Sequence, residues 1–196
     1  MAVLGAILFC VIAGVAILAP FIAPYDPLSM DVLSTLQKPG TSHWLGTDEF
    51  GRDIFSRIMW GTRISLIVGT CSVLLGMIMG TAMGMIAGYF GGKIATAIMR
   101  GVDILMCFPD LLLGLAIMAL LGASLVNLII SIAIVLTPRF ARLAYAPTLV
   151  VKNKDYTQAA RAIGASVPRI IMRHVLPNIF GEILVAGTLW VGEAIR

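Results

Sequence analysis

The stretch ISLIVGTCSVLLGMIMGTAMGMIAG, Ile64 to Gly88, runs for 25 residues without a charge. A bilayer core about 30 Å thick takes about 20 residues of helix at a rise of about 1.5 Å each. The stretch is therefore long enough to cross a membrane. It also holds Gly76, Gly80, Gly84 and Gly88 at a spacing of four, which places them on one helix face. In lipid, apolarity alone does not drive helices together, and a stripe of small residues lets two backbones approach closely. These four glycines are the candidate helix-packing residues, a bundle seam. A phosphate loop does not fit, because no lysine follows and no strand precedes.

Composition extends this reading to the whole chain. Hydrophobic residues make up 59% of the 196, charged residues 12%, and mean hydropathy is +0.99. A soluble domain carries about 25% charged residues, and a single core of this size could not hide so much apolar surface. The expected fold is all-α and polytopic in a membrane. Cys10, Cys71 and Cys107 lie singly in apolar runs and read as small buried hydrophobes, with no metal or redox spacing. The formal net charge is only +4, and no basic run alternates with aromatics, so nucleic-acid binding has no support.

Five spans are expected. Span 1, residues 1–19, carries no charge and should end where Pro20 and Pro24 break the helix. A cleaved signal peptide would need a basic start and a small-residue cleavage site; a retained anchor fits better, and a start upstream stays open. Residues 20–63 form a long loop, and residues 64–88 are span 2. Span 3, residues 104–121, contains Pro109 and Asp110, and span 4, residues 125–145, contains Pro138 with Arg139 and Arg142 near its end. Span 5, residues 179–195, holds Glu182 and Glu193. Kinked, charged spans suit a transporter more than a simple anchor, since neighbouring helices or a water-filled path must satisfy the polar groups. Asn127, Ser131, Ser65 and Thr81 are generic candidates for lining such a path, and Asp110 would sit at the inner edge of span 3. Asp103 is expected to pair with Arg100 at i, i+3.

Charge gives the orientation. The loop from Pro20 to Arg63 has Lys38, Arg52, Arg57 and Arg63 against Asp26, Asp31, Asp48, Glu49 and Asp53. From Arg139 to Asn178, by contrast, seven basic residues face Asp155 alone. The positive-inside rule puts the amino terminus and the second segment in the cytoplasm and the long loop outside.

The basic segment, residues 150–178, contains AARAIGASVPRIIMRHVLPN, Ala159 to Asn178. Asp155 with Gln158 has the form of a capping box, and the alanines extend a helix that Gly164 should end. Ser166 and Pro168 suit a second short helix that carries Arg169 and Arg173 and stops at Pro177. On the residues alone, a docking handle for a soluble partner and a solvated loop fit equally well.

The segment resembles the cytoplasmic EAA loop of ABC importer permeases on Ala159, Ala160, Gly164, Leu176 and Pro177. Gln158 stands where glutamate is usual, and His174 or Val175 where isoleucine is usual. APYDP at Ala23 to Pro27 and HWLGTDEFGRDIFSRIMWGTRISLIVG at His43 to Gly69 are similar to the C-type permease subunit of dipeptide, oligopeptide and nickel importers. GYFGG at Gly88 to Gly92, Arg100 with Asp103, and FPDLLL at Phe108 to Leu113 continue the match, with Asp110 in place of a small polar residue.

The resemblance implies a type I ABC importer transmembrane domain. Its ATPase-coupling loop would comprise Gln158, Ala159, Ala160, Arg161, Gly164, Arg169, Arg173, Leu176 and Pro177. The small residues would keep the docking face low, and the arginines would hold its rim. The implied partners are a second permease subunit in a heterodimer, two cytoplasmic ATP-binding subunits and an external solute-binding protein. The implied location is the cytoplasmic (inner) membrane of a prokaryote. A peptide substrate is expected, with nickel or another small solute as the alternative. Permeases of this type continue into a sixth span, so a chain stopping at Arg196 is expected to be a fragment or a truncated product. No cofactor, metal site or catalytic residue is implied. The chain has no Gly-x-x-x-x-Gly-Lys-Ser/Thr, so ATP would be hydrolysed by other subunits. An intramembrane hydrolase would need a nucleophile and base or metal ligands at one depth; His43 and His174 fall in loops on opposite sides. A passive membrane scaffold would leave the small-residue segment without a purpose.

Overall fold

The computed structural model describes residues 2–195; Met1, the first residue of expected span 1, lies outside them. The chain divides into two units, Met1–Ile67 and Val68–Arg196.

In the first unit, α1 spans Ala2–Ile22 and carries Pro20 inside its last turn. The helix thus continues past the expected stop at Ala19. Proline forfeits one helical hydrogen bond, and here the next is made, Ala23 N donating to Ala19 O at 3.0 Å. The loop that follows is held by aspartates that fold back on their own backbone. Asp26 accepts from Leu28 N at 2.8 Å, Asp31 from Leu33 N at 3.0 Å, and Asp48 from Phe50 N at 2.9 Å. Gly51 has φ +72°, and a β-carbon there would lie 2.7 Å from the Asp31 carbonyl carbon, so only glycine fits. Asp53 starts the next helix by accepting from Ser56 N at 2.7 Å.

That helix, α2, spans Ile54–Phe90. It begins ten residues before the expected span, so Arg57 and Arg63 lie on helix and not in the loop. The second unit continues it with α3 (Gly92–Met106), α4 (Asp110–Leu121), α5 (Leu125–Val151), α6 (Asp155–Ala162), α7 (Val167–Ile170) and α8 (Leu176–Ile195). Expected span 3 is not one straight helix. Its residues are divided between the end of α3 and α4, which meet at 95° around Pro109.

The glycine stripe packs against α5 within the same chain. A β-carbon at Gly76 would lie 2.9 Å from Ala133 O, one at Gly80 2.6 Å from Phe140 Cβ, one at Gly84 2.8 Å from Ala144 Cβ, and one at Gly88 2.7 Å from Thr148 Cβ. Small faces small along the seam: Ala133, Ala141, Ala144 and Thr148 are fully buried. The core gathers around it, with Val73, Phe140, Ile170, Val175, Ile179 and Ile183 almost wholly buried.

Among the described residues, the helices long and apolar enough to cross a membrane are Ile54–Phe90, Leu125–Val151 and Val167–Ile195, and the bent pair α3–α4 makes a fourth if counted as one span. In α1, the stretch Phe9–Ile22 is apolar but shorter. Large apolar side chains such as Leu111, Leu120, Val185 and Leu189 point outward, as acyl chains permit. Cys10, Cys71 and Cys107 are exposed too, contrary to expectation. In a membrane chain an apolar side chain need not reach the core to leave water.

Candidate coupling site

Helix α6 follows α5 after a three-residue turn, residues 152–154. Thr157 is fully buried and donates from Oγ1 to Val151 O at 2.9 Å, which ties the two helices together. Lys154 occupies the N-cap position without a side-chain cap bond, so the expected capping box is not formed. Asp155 lies one residue inside, where its charge complements the helix dipole. Gly164, at φ +82°, ends the helix: its N donates to Arg161 O and Ala165 N to Ala160 O, each at 3.0 Å. This is the Schellman arrangement that glycine permits.

Ser166 is the N-cap of α7, with Pro168 in its first turn. The expected second short helix does not stop at Pro177. A π turn, Ile171–Val175, carries α7 straight into α8, with Leu176 N donating to Ile171 O. Proline breaks an α-helix because it lacks an N–H and crowds the carbonyl four residues back. The wider π turn shifts the bonding to five residues back and accommodates the ring. Residues 167–195 are thus one rod.

Exposure sorts the expected coupling residues. Gln158, Ala159, Arg161, Gly164, Arg169, Arg173 and Pro177 are exposed. Ala160 is buried and Leu176 packs on the core, so neither is on the outer face. Ile163, 86% exposed at the end of α6, was missed by the sequence reading, although an isoleucine beside a helix-ending glycine is a signal of an apolar tip. Arg161 is not a simple rim charge. Its Nη2 donates to Tyr89 Oη at 3.1 Å, and its guanidinium lies 5.4 Å from the ring centroid. Lys152 Nζ donates to Gly88 O at 2.8 Å and Tyr89 O at 3.3 Å, capping the carbonyls at the end of α2. Two basic side chains thus fasten the α5–α6 corner to α2.

On α5, polar groups face α3 and α4. Asn127 Nδ2 donates to Leu121 O at 2.7 Å, and Ser131 Oγ to Gly114 O at 2.8 Å. Arg139 pairs with Asp110 and stacks 4.8 Å from the Trp190 ring centroid. Asp103 pairs with Arg142 at 2.7 Å and not with Arg100, the expected partner. The bend in the α3–α4 pair brings both aspartates to α5. Of the other path candidates, Thr81 is buried and Ser65 exposed.

In the first unit, His43 Nδ1 and Asp53 Oδ1 lie 3.0 Å apart. Burial raises the pKa of Asp53, but the bonds from Ser56 and His43 outweigh it and hold the carboxyl below its ordinary value. Burial likewise opposes ionisation of Asp48, yet bonds from Arg52 and Phe50 bring it to about 2.

The family described as binding-protein-dependent transport system inner membrane component matches residues 80–196. The N-terminal TM domain of oligopeptide transport permease C matches residues 1–39. The chain is 40% identical over 195 residues to the glutathione transport system permease protein GsiD of Pectobacterium atrosepticum, covering 99% of this chain and 65% of that protein. It is 43% identical over 195 residues to the dipeptide transport system permease protein DppC of Alkalihalophilus pseudofirmus, covering 100% of this chain and 64% of that one. With DppC of Haemophilus influenzae it shares 38% over 200 residues, 99% and 68% of the two chains. The chain thus spans about two thirds of the length of these relatives.

Proposed function

Because the chain belongs to the binding-protein-dependent transport system inner membrane component family, we propose that it is the permease subunit of an ABC importer that carries a peptide across the cytoplasmic membrane. It would pair with a second permease subunit, receive substrate from an external binding protein and be driven by two cytoplasmic ATPase subunits. A peptide is favoured because the relatives are named for dipeptides and for glutathione, itself a tripeptide. The amino terminus would be cytoplasmic, on the charge asymmetry of the loops.

The observation that carries the coupling role is the exposed face of α6 and its rigid fastening. Gln158, Ala159 and Ile163 are turned outward, while Thr157 and Arg161 tie the same short helix to α5 and α2. A force applied at α6 is therefore delivered to the seam of the bundle, and the rod from Val167 offers a second route through the π turn. A photo-reactive amino acid at Ile163 should capture the ATPase subunit in membranes, and one at Ala133 in the seam should not. Capture of no ATPase from Ile163, with the complex intact, would refute the docking face.

A further inference from the structure

We infer that the groove between α4, α5 and the end of α8 binds a zwitterion in transit, Asp110 receiving its ammonium group and Arg139 its carboxylate. The inference rests on the permease reading, which supplies a short peptide as that zwitterion. Arg139 lies fourteen residues from the start of α5 and twelve from its end, hence about 21 Å and about 18 Å along the axis. Arg139 follows the apolar run of residues 125–137 and stands inside α5, with its side chain turned to Asp110 of α4. Yet its side chain is 34% exposed on the chain and that of Asp110 52%. A charged pair held between apolar helices faces a protein interior or a water-filled path, not acyl chains.

The arrangement of α5 says which side the path takes. Ala133, Thr137, Ala141 and Ala144 seal one face of the helix against α2. Ser131, Val135, Arg139 and Arg142 recur at three to four residues on the opposite face, towards α3 and α4. Around Asp110 and Arg139 there is a cavity of about 400 Å³ whose other walls include Leu115, Met118 and Glu193. It is large enough for a small ligand. An ion pair beside walls that are apolar apart from Ser131 and Glu193 offers partners for both terminal charges of a peptide and room for its side chains. In the absence of ligand the two groups satisfy each other, and a zwitterion can replace that pair with two of its own.

The test uses the assembled importer in proteoliposomes, with its binding protein, and measures uptake of radiolabelled dialanine together with stimulated ATP hydrolysis. Wild-type uptake and stimulation establish the permease reading; failure of both would refute that reading and leave the site out of the question. Given both, Arg139→Gln should lower uptake per ATP about tenfold, while ATP hydrolysis and co-purification of the ATPase persist. It should also erase the preference for dialanine over its carboxyl-terminal amide, and Arg139→Lys should restore it. If Arg139→Gln does not assemble, Asp110→Asn at the more exposed partner is read instead, against the N-acetyl peptide. Wild-type uptake per ATP, or an unaltered preference in an assembled variant, would overturn the assignment.

Discussion

Arg161 on α6 is bonded to Tyr89 at the end of α2, 3.1 Å from nitrogen to phenol oxygen, across 72 positions of sequence. Tyr89 is buried and Arg161 exposed, so the contact joins an outward-facing helix to the core. Tyr89→Phe keeps the ring under the guanidinium but removes the acceptor, and should cost about 1 kcal/mol. The expected result in thermal unfolding of the purified complex is a small loss, with a larger one for Tyr89→Ala because packing goes as well. An unchanged midpoint for Tyr89→Phe would mean that the hydroxyl contributes nothing beyond the ring.

The glycine seam predicts a contrast between positions. Gly80→Ala puts a methyl against Thr137 O and Phe140 Cβ, and overpacking of this kind costs about 1–3 kcal/mol. At Gly101 a β-carbon meets nothing within 4 Å, so Gly101→Ala should be neutral or slightly stabilising. Thermal stability in detergent is the measurement. Equal stability of the two variants would contradict the α2–α5 packing.

Sidedness follows from charge. In a background with the three native cysteines replaced, Thr41→Cys should react with an impermeant thiol reagent added to intact cells, and Ser166→Cys should not. The replacement is needed because the native thiols are exposed. Labelling of Ser166→Cys alone would invert the orientation and remove the docking face from the cytoplasm.

The loop between α1 and α2 should be acid-sensitive. Asp48 and Asp53 are both held below the ordinary carboxyl value, Asp48 at about 2. A depressed folded-state pKa stabilises above the unfolded value of about 4 and is lost as pH falls towards the folded one. Hydrogen exchange over residues 23–57, corrected for the intrinsic rate, should therefore rise between about pH 4 and about pH 2. Asp48→Asn should flatten that rise; an identical profile in the variant would show that Asp48 does not hold the loop.

The apolar runs made the helices legible, since a bilayer sets their length. Their ends were less so. Pro20 and Pro177 look like stops in sequence, but the last turn of α1 absorbs one and the π turn before α8 the other. Partners across the fold were also hidden. The stripe at Gly76 to Gly88 marks a close approach without saying that α5 makes it, and Asp103 reaches past its neighbour Arg100 to Arg142 because the chain bends at Pro109. Short helix α6 could be placed because Gly164 is needed where φ is +82°. Which way its alanines face depends on Thr157 turning inward beneath Val151, a contact no local pattern records.

Enlarging Ala159 tests the coupling role most directly. Gly164→Val would strain a positive φ and could distort the loop for that reason alone, whereas Ala159 is helical and exposed. Ala159→Leu keeps the helix propensity and the membrane spans while raising the docking face by a branched side chain. If α6 is the handle, the variant permease is found in the membrane at wild-type level but no longer co-purifies with the ATPase subunits, and peptide uptake is lost. Wild-type ATPase co-purification and uptake in Ala159→Leu would contradict the account.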